Sequence, residues 1–324
     1  MSFFWKRAQS GRFCCLEVAV LKYILKRILG IFPVLFIITT MTFFIIRAAP
    51  GGPFDTEKRL PPEILANIEA KYHMNEPLYM QYLNYMGGLL QGDLGPSFRY
   101  AGRTVNDIIW ESAPASAQLG IAGLLYAMML GLASGILAAS KPNSMRDYVP
   151  MALSLVGVCL PSFVIGPLLV LVFAMTLNWF NVTGWGTPKD MILPAMALGT
   201  MYAAYVSRLT RAGVLDIVRQ DFIRTAHAKG LPGWKIMIKH ALKGGLLPVV
   251  SFLGPATAGI LVGSFVVETT FNIPGLGRFF VQSALNRDYT LLMGMVLFFA
   301  VILLLMNLIV DICYALLDPR VSLQ

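Results

Sequence analysis

Charge is the first thing this chain is short of. Aspartate, glutamate, lysine and arginine make up 13% of its 324 residues, about half the share carried by ordinary soluble domains. Hydrophobic residues fill 56%, and the mean hydropathy is +0.67. That balance excludes a soluble globular protein and implies an integral membrane protein with a modest extramembrane part. Histidine is scarce too: His73, His227 and His240 sit in polar or interfacial segments without zinc-site spacing. The four cysteines, Cys14, Cys15, Cys159 and Cys313, form neither a metal pattern nor a disulfide framework. There is no G-x-x-x-x-G-K-[ST] phosphate loop, and no Ser/His/Asp or Cys/His set stands in a compelling local context. No catalytic residue, bound metal or cofactor is expected in this chain.

What the chain has is long apolar runs. A hydrocarbon core about 30 Å thick needs roughly 20 apolar residues in a helix. Six stretches meet that requirement, one only by extension: residues 28–46, 115–139, 148–177, 191–206, 246–267 and 291–317. The third is interrupted by Pro161 and Pro167, and the short fourth continues into Arg208 and Arg211, whose charged ends can reach the interface. The first run exceeds the usual h-region of about 7–15 residues and lacks a small-residue cleavage site, so it reads as a retained span. The expected fold is an all-α membrane protein with six transmembrane helices.

The charges are unevenly placed. Seventeen of the 26 lysines and arginines fall in residues 1–27, between spans two and three, between spans four and five, and at Arg320. In the opposite long segment, 47–111, basic residues are outnumbered by acids. The positive-inside rule therefore puts both termini in the cytoplasm. The net charge of +9 is accounted for by membrane orientation, not by nucleic acid. Within 47–111, residues 49–54 form a turn cluster, Pro61–Pro62–Glu63 marks a helix start, and 77–91 reads as an amphipathic helix. Residues 268–289 hold an Asn-Ile-Pro-Gly-Leu-Gly turn, then a segment that is either a short helix dipping into the bundle or a surface hairpin.

The loop 207–245 carries eight basic residues and two acids. Asp221 can cap a helix running to Lys229, Gly230 can take the left-handed position after it, and Pro232 stops it. So short a helix is marginal alone and needs a surface to pack on. A second helix, 234–243, places Trp234, Met237, Ile238, Ala241 and Leu242 on one face. A solvated basic loop explains the charges; docking on another protein explains the charges and the helices together.

At this point a family resemblance is visible. RTAHAKG (residues 224–230) resembles the coupling motif of ABC importer permeases, Glu-Ala-Ala, three residues, Gly, then a later Leu-Pro. Arg224, Thr225 and Ala226 take the Glu-Ala-Ala places, Gly230 matches the glycine, and Leu247–Pro248 the Leu-Pro. The arginine and the long interval to Pro248 depart from the general form and resemble the peptide and nickel branch. LKYILKRI, RAAPGGPF, LPPEILANIEAKYHMNEP, GDLGPSF, PSFVIGPLL, ETTFNIPGLGRFFVQSALNRDY and a terminal Asp-Pro follow in order, over about residues 21–320. Residues 1–20 fall outside it, as an N-terminal extension or an upstream start.

The resemblance implies a type I ABC importer permease fold in a bacterial inner membrane, made of a first helix and extracytoplasmic helical region (21–112) and a five-helix transmembrane domain (113–317). It implies a second homologous permease subunit, two ATPases that bind ATP and magnesium, and an extracytoplasmic peptide-binding protein. Asp221, Arg224, Thr225, Ala226, His227, Gly230 and Leu231 would then form the coupling helix. Oligopeptide is the cargo implied; dipeptide, glutathione and nickel importers share these fragments. Ser162, Asn178, Thr200, Tyr202, Tyr205 and Ser264 are candidates for the substrate path. An ion-coupled carrier is a more distant alternative, since such carriers keep ionisable groups at mid-membrane and these span cores have none. A channel would show a filter or a charged ring, and neither is present.

Overall fold

The computed structural model describes residues 2–49, 74–263 and 265–317, with side chains described over 25–49, 74–260 and 265–312. The expected helix start at Pro61, the side chains of His73, Cys14, Cys15, Cys313 and Ser264, and the terminal Asp318–Pro319 and Arg320 lie outside these residues. Among the described residues all regular elements are helical, apart from one isolated bridge between Pro96 and Thr104.

The helices, in chain order, are α1 (Ser2–Ala48), α2 (Leu78–Leu90), α3 (Val105–Ser140), α4 (Met145–Cys159) and α5 (Ser162–Leu169), which runs into a π-helical turn, Val170–Thr176. Then come α6 (Pro188–Val218), α7 (Asp221–Ala228) and α8 (Gly233–Ile236), with a second π-helical turn, Met237–Ala241. The last are α9 (Leu242–Gly245), α10 (Leu247–Gly263), α11 (Phe265–Phe271), α12 (Leu276–Leu285) and α13 (Tyr289–Leu317). Thr104 caps α3, with its hydroxyl and the Asp107 carboxylate bonding reciprocally to each other's backbone N–H.

Among the described residues, three helices are individually long and apolar enough to cross a membrane: Leu25–Ala48 of α1, α3, and Tyr289–Ile312 of α13. Two further crossings arise if bent pairs are each counted as one. Met145–Cys159 meets Ser162–Thr176 at 107°, and Gly233–Gly245 meets Leu247–Ile260 at 52°. The first break falls at Leu160–Pro161, where the proline disfavours helical geometry in the residue before it. The third expected stretch is thus a sharply bent pair. The expected helix 234–243 is present as the run Gly233–Gly245, through its π turn, and meets α10 at the 52° bend.

Helix α6 is long enough to cross but less apolar than those three. Its position accounts for this: Leu193, Ala197, Leu198, Ala203, Val206, Thr210 and Val214 are all buried, so it faces protein more than lipid. Glycines let α3 reach it closely. A methyl group on Gly131 would stand 2.7 Å from the Ala203 carbonyl oxygen, and one on Gly135 2.6 Å from that of Ser207. Ser134 and Ser207 share a 2.8 Å hydroxyl contact across this seam, which small residues keep tight in the manner of membrane helix pairs.

Two buried carboxylates tie distant segments together. Asp288 is 1% exposed and accepts from the Ser97 hydroxyl and from the N–H groups of Phe98, Arg99 and Leu291. It therefore starts α13 and clamps the GDLGPSF turn at once. Glu268, also 1% exposed, accepts from the Ser116 hydroxyl at 2.7 Å and the Gly277 N–H at 2.8 Å. A side chain at Gly275 would collide with the Glu268 carboxylate, so the Pro-Gly-Leu-Gly turn wraps that acid. Burying a carboxylate is costly unless its lone pairs are matched, and both are.

Of the two readings open for residues 268–289, the structure shows the tucked helix. Leu276 and Phe279 of α12 pack with Val105, Ile108, Leu291 and Met295. Helix α2 lies against α1 through a 2.8 Å Thr40–Tyr82 hydroxyl contact and an edge-on Phe43–Tyr82 ring pair. Asp311 of α13 pairs with Arg27 of α1 at 3.3 Å.

Candidate coupling surface

Helix α6 ends at Val218, and Gln220 in extended geometry turns the chain into α7. Asp221 is the first helical residue and makes no capping bond; the cap position belongs to Gln220, which corrects the expected assignment. Asp221 still lies in the first turn, where a carboxylate favours the positive end of the helix dipole. The exit matches expectation closely. Gly230 N–H donates to the His227 carbonyl at 2.9 Å and Leu231 N–H to that of Ala226 at 3.3 Å, with Gly230 at φ +76°. This is the double-bonded stop that needs a left-handed residue, and Leu231 packs back beside Ala226 as such stops favour.

Only one side of α7 is held by its own chain. Ile223 and Ala226 are buried against Ile217, Leu231 and Ile236. Asp221, Arg224, Thr225, His227 and Gly230 all face outward. The seven expected coupling residues therefore divide: Ala226 and Leu231 anchor the helix, and the other five present its free surface. The 3.5 Å Arg224–Asp221 pair is fully solvated and contributes little to stability.

Beside that face stand Phe222, Trp234 and Ile238, 47%, 68% and 61% exposed. The Ile223/Ala226 spacing was visible in the sequence as an i, i+3 pair, but its partner Ile236 was not.

One ion pair had no signal in the sequence. Arg211 of α6 meets the buried Asp147 of α4 through two bonds, Nε to Oδ1 at 2.5 Å and Nη2 to Oδ2 at 2.7 Å. A fork-on-carboxylate contact fixes orientation as well as distance. It ties the start of α4 to the C-terminal part of α6, shortly before α7, and 64 residues of separation left no local signal.

The candidate path residues scatter. Tyr202 and Tyr205 are brought together, their rings flanking Phe252 of α10 at 6.3 and 5.6 Å. Thr200 bonds its own helix at the Met196 carbonyl, and its methyl faces Gly157 of α4. Ser162 opens α5 half-buried, while Asn178 is exposed just past the π turn at φ +53°.

Comparisons with known proteins align with this architecture. Residues 131–323 match the model of the binding-protein-dependent transport system inner membrane component, and residues 20–116 the corresponding N-terminal model. The oligopeptide transport system permease protein OppB of Salmonella typhimurium is 49% identical over 304 residues, covering 93% of this chain and 99% of that protein. OppB of Escherichia coli K12 is 48% identical over the same shares. The dipeptide transport system permease protein DppB of Bacillus subtilis is 40% identical, covering 94% and 98%. Among solved structures, the inward-facing MetNI methionine ABC transporter superposes with a TM-score of 0.56 at 13% identity, covering 65% of this chain and 96% of that one. That likeness shows a shared helical fold. The chain belongs to the family of binding-protein-dependent transport system inner membrane components, and is a permease subunit of a transporter rather than an enzyme.

Proposed function

We propose that this chain forms half of the path by which an ATP-driven importer brings oligopeptides across the bacterial inner membrane. The supporting observation for cargo is identity of 49% to a relative named an oligopeptide permease, along 99% of that relative's length. With six crossings and both termini in the cytoplasm, α7 lies on the cytoplasmic side, where each of two ATPase subunits receives one coupling helix. A second, homologous permease completes the path, and an extracytoplasmic binding protein delivers the peptide. ATP-driven closure of the ATPases shifts α7, and the ion-paired α4–α6 frame behind it moves with it. The two orientations of the path differ in their contacts with the ATPases, and that difference drives the exchange. Dipeptide is a second reading, supported by the 40% identical dipeptide permease.

The test is uptake of labelled tri- to pentapeptides into vesicles holding the assembled importer. Dipeptide, glutathione and nickel serve as competitors. Deleting residues 224–230 should abolish uptake and ATPase pull-down while membrane insertion persists; undiminished transport or ATPase capture would refute the docking role. Complete inhibition by dipeptide alone would move the cargo assignment. Cysteines placed at 222 and 229 should label only from the cytoplasm.

A further inference from the structure

A cavity of about 200 Å³ opens between the end of α1, helix α2 and the turn before α3. Its lining includes Arg47, Gln81, Asn84, Tyr85, Asp93 and Phe98. Arg47 stacks on the Phe43 ring, 3.6 Å from its centre. Its Nε donates to Gln81 Oε1 at 3.1 Å, and Nη1 reaches the Met293 sulfur at 3.7 Å. These partners are all neutral, so no described carboxylate balances the charge. The Tyr85 hydroxyl beside it is buried and lacks a hydrogen-bond partner among the described residues. Burial pushes that phenol up to about 12, which keeps its proton in place as a donor. Asp93, on the rim, has turned one oxygen to the Gly95 N–H.

Among the described residues, a guanidinium without a carboxylate and a hydroxyl without a partner line one cavity, two donors suited to one acceptor with negative charge. Cation–π stacking offsets only part of the desolvation of such a cation. The cavity also stands at the end of an apolar surface. Phe36, Ile37, Met41, Phe44 and Ile45 of α1 are all between 47% and 62% exposed, and they run up to Arg47. A helix of this kind in a bilayer faces acyl chains, and Arg47 then falls at headgroup depth. Tyr79 of α2, 63% exposed, adds an interfacial aromatic nearby.

We propose that the Arg47–Tyr85 pocket binds the phosphate of an anionic membrane lipid whose acyl chains lie along the exposed face of α1. The guanidinium fork and the phenol donate to the phosphate oxygens, and Phe43 holds the guanidinium plane. The inference rests on α1 crossing the bilayer and not on the cargo, so lipid retention and peptide uptake can fail separately.

The test is native mass spectrometry of the assembled importer in detergent, titrated with dioleoylphosphatidylglycerol or with neutral dioleoylglycerol. Wild type should retain the phosphatidylglycerol in preference. Arg47→Gln should weaken that retention roughly ten-fold, the loss of a charge-assisted contact. Tyr85→Phe, which keeps the ring, should weaken it by a smaller factor, and it serves as the deciding variant if Arg47→Gln fails to assemble. Equal retention by wild type and variants would overturn the proposal. So would displacement of the lipid by excess inorganic phosphate, which would identify a site for soluble anions.

Discussion

The Glu268 and Asp288 knots and the α7 loop use polar groups in opposite ways. Each knot buries a whole carboxylate and satisfies it with N–H and O–H groups from both nearby turns and segments more than 150 residues away. Helix α7 buries two small-to-medium side chains and leaves five of seven expected coupling residues open to solvent. The knots are complete within the chain. Helix α7 is anchored at one side and ended firmly, yet eight residues are too few to be stable by themselves. The contrast teaches where this permease is closed upon itself and where it leaves a helix face open.

The comparison can be broken most forcefully at a knot. Glu268→Ala strands the Gly277 N–H and the Ser116 hydroxyl in a buried site, at a cost of about 1–3 kcal/mol for each. The variant should fail to accumulate or lose its folded state many degrees earlier, as read by fluorescence-detected thermal unfolding; Glu268→Gln should recover part. The glycine seam comes next. Gly135→Leu would drive a side chain into the Ser207 backbone and Thr210, costing roughly 1–3 kcal/mol or more by overpacking. Its signature is a lower unfolding temperature with peptide uptake falling in parallel.

The Asp147–Arg211 pair separates the two regions. Asp147→Ala leaves the guanidinium without its fork, and should reduce uptake more than thermal stability because the pair links α4 to the helix that leads into α7. The exchanged variant Asp147→Arg with Arg211→Asp should restore part of the uptake, and a double-mutant cycle gives the coupling. At α7 itself, a Cβ on Gly230 has no atom within 4 Å, and Gly230→Asp costs about 1–2 kcal/mol of left-handed strain. It should leave insertion and unfolding temperature nearly unchanged while abolishing uptake and ATPase pull-down. Gly230→Asn shares the strain without the charge, so a milder defect there would assign the loss to the docking surface. The smallest effect expected is from Phe222→Ala with Trp234→Ala: unchanged unfolding of the isolated chain, weaker ATPase capture, and partial uptake.

The regions also differ in how far they were legible beforehand. Helix α7 could be read from Gly230, Pro232 and the surrounding residues, because a helix stop is a local matter of φ and of missing N–H groups. Its start was misplaced by one residue, since an acid in the first turn looks alike whether it caps or merely meets the dipole. The α2 helix followed from the spacing of Leu78, Tyr82, Met86 and Leu90. The π turn inside 233–245 and the 52° bend into α10 did not, because apolar periodicity on either side carries no mark of them. The knots and the Asp147–Arg211 fork were invisible. Each joins residues 9 to 191 positions apart, and nothing in the neighbourhood of one partner identifies the other.

By itself the sequence determined that the chain lives in a membrane, roughly where its apolar segments lie, and that residues 221–231 form a stopped helix on a basic loop. Those properties depend on composition and on interactions within a few residues. Only the tertiary structure decided which face of α7 is free, that α6 is wrapped by protein, that Glu268 and Asp288 are buried and matched, and that Arg47 shares a cavity with Tyr85. Burial and pairing are relations between segments, and the free energy of a buried charge is set by whichever groups the fold brings to it.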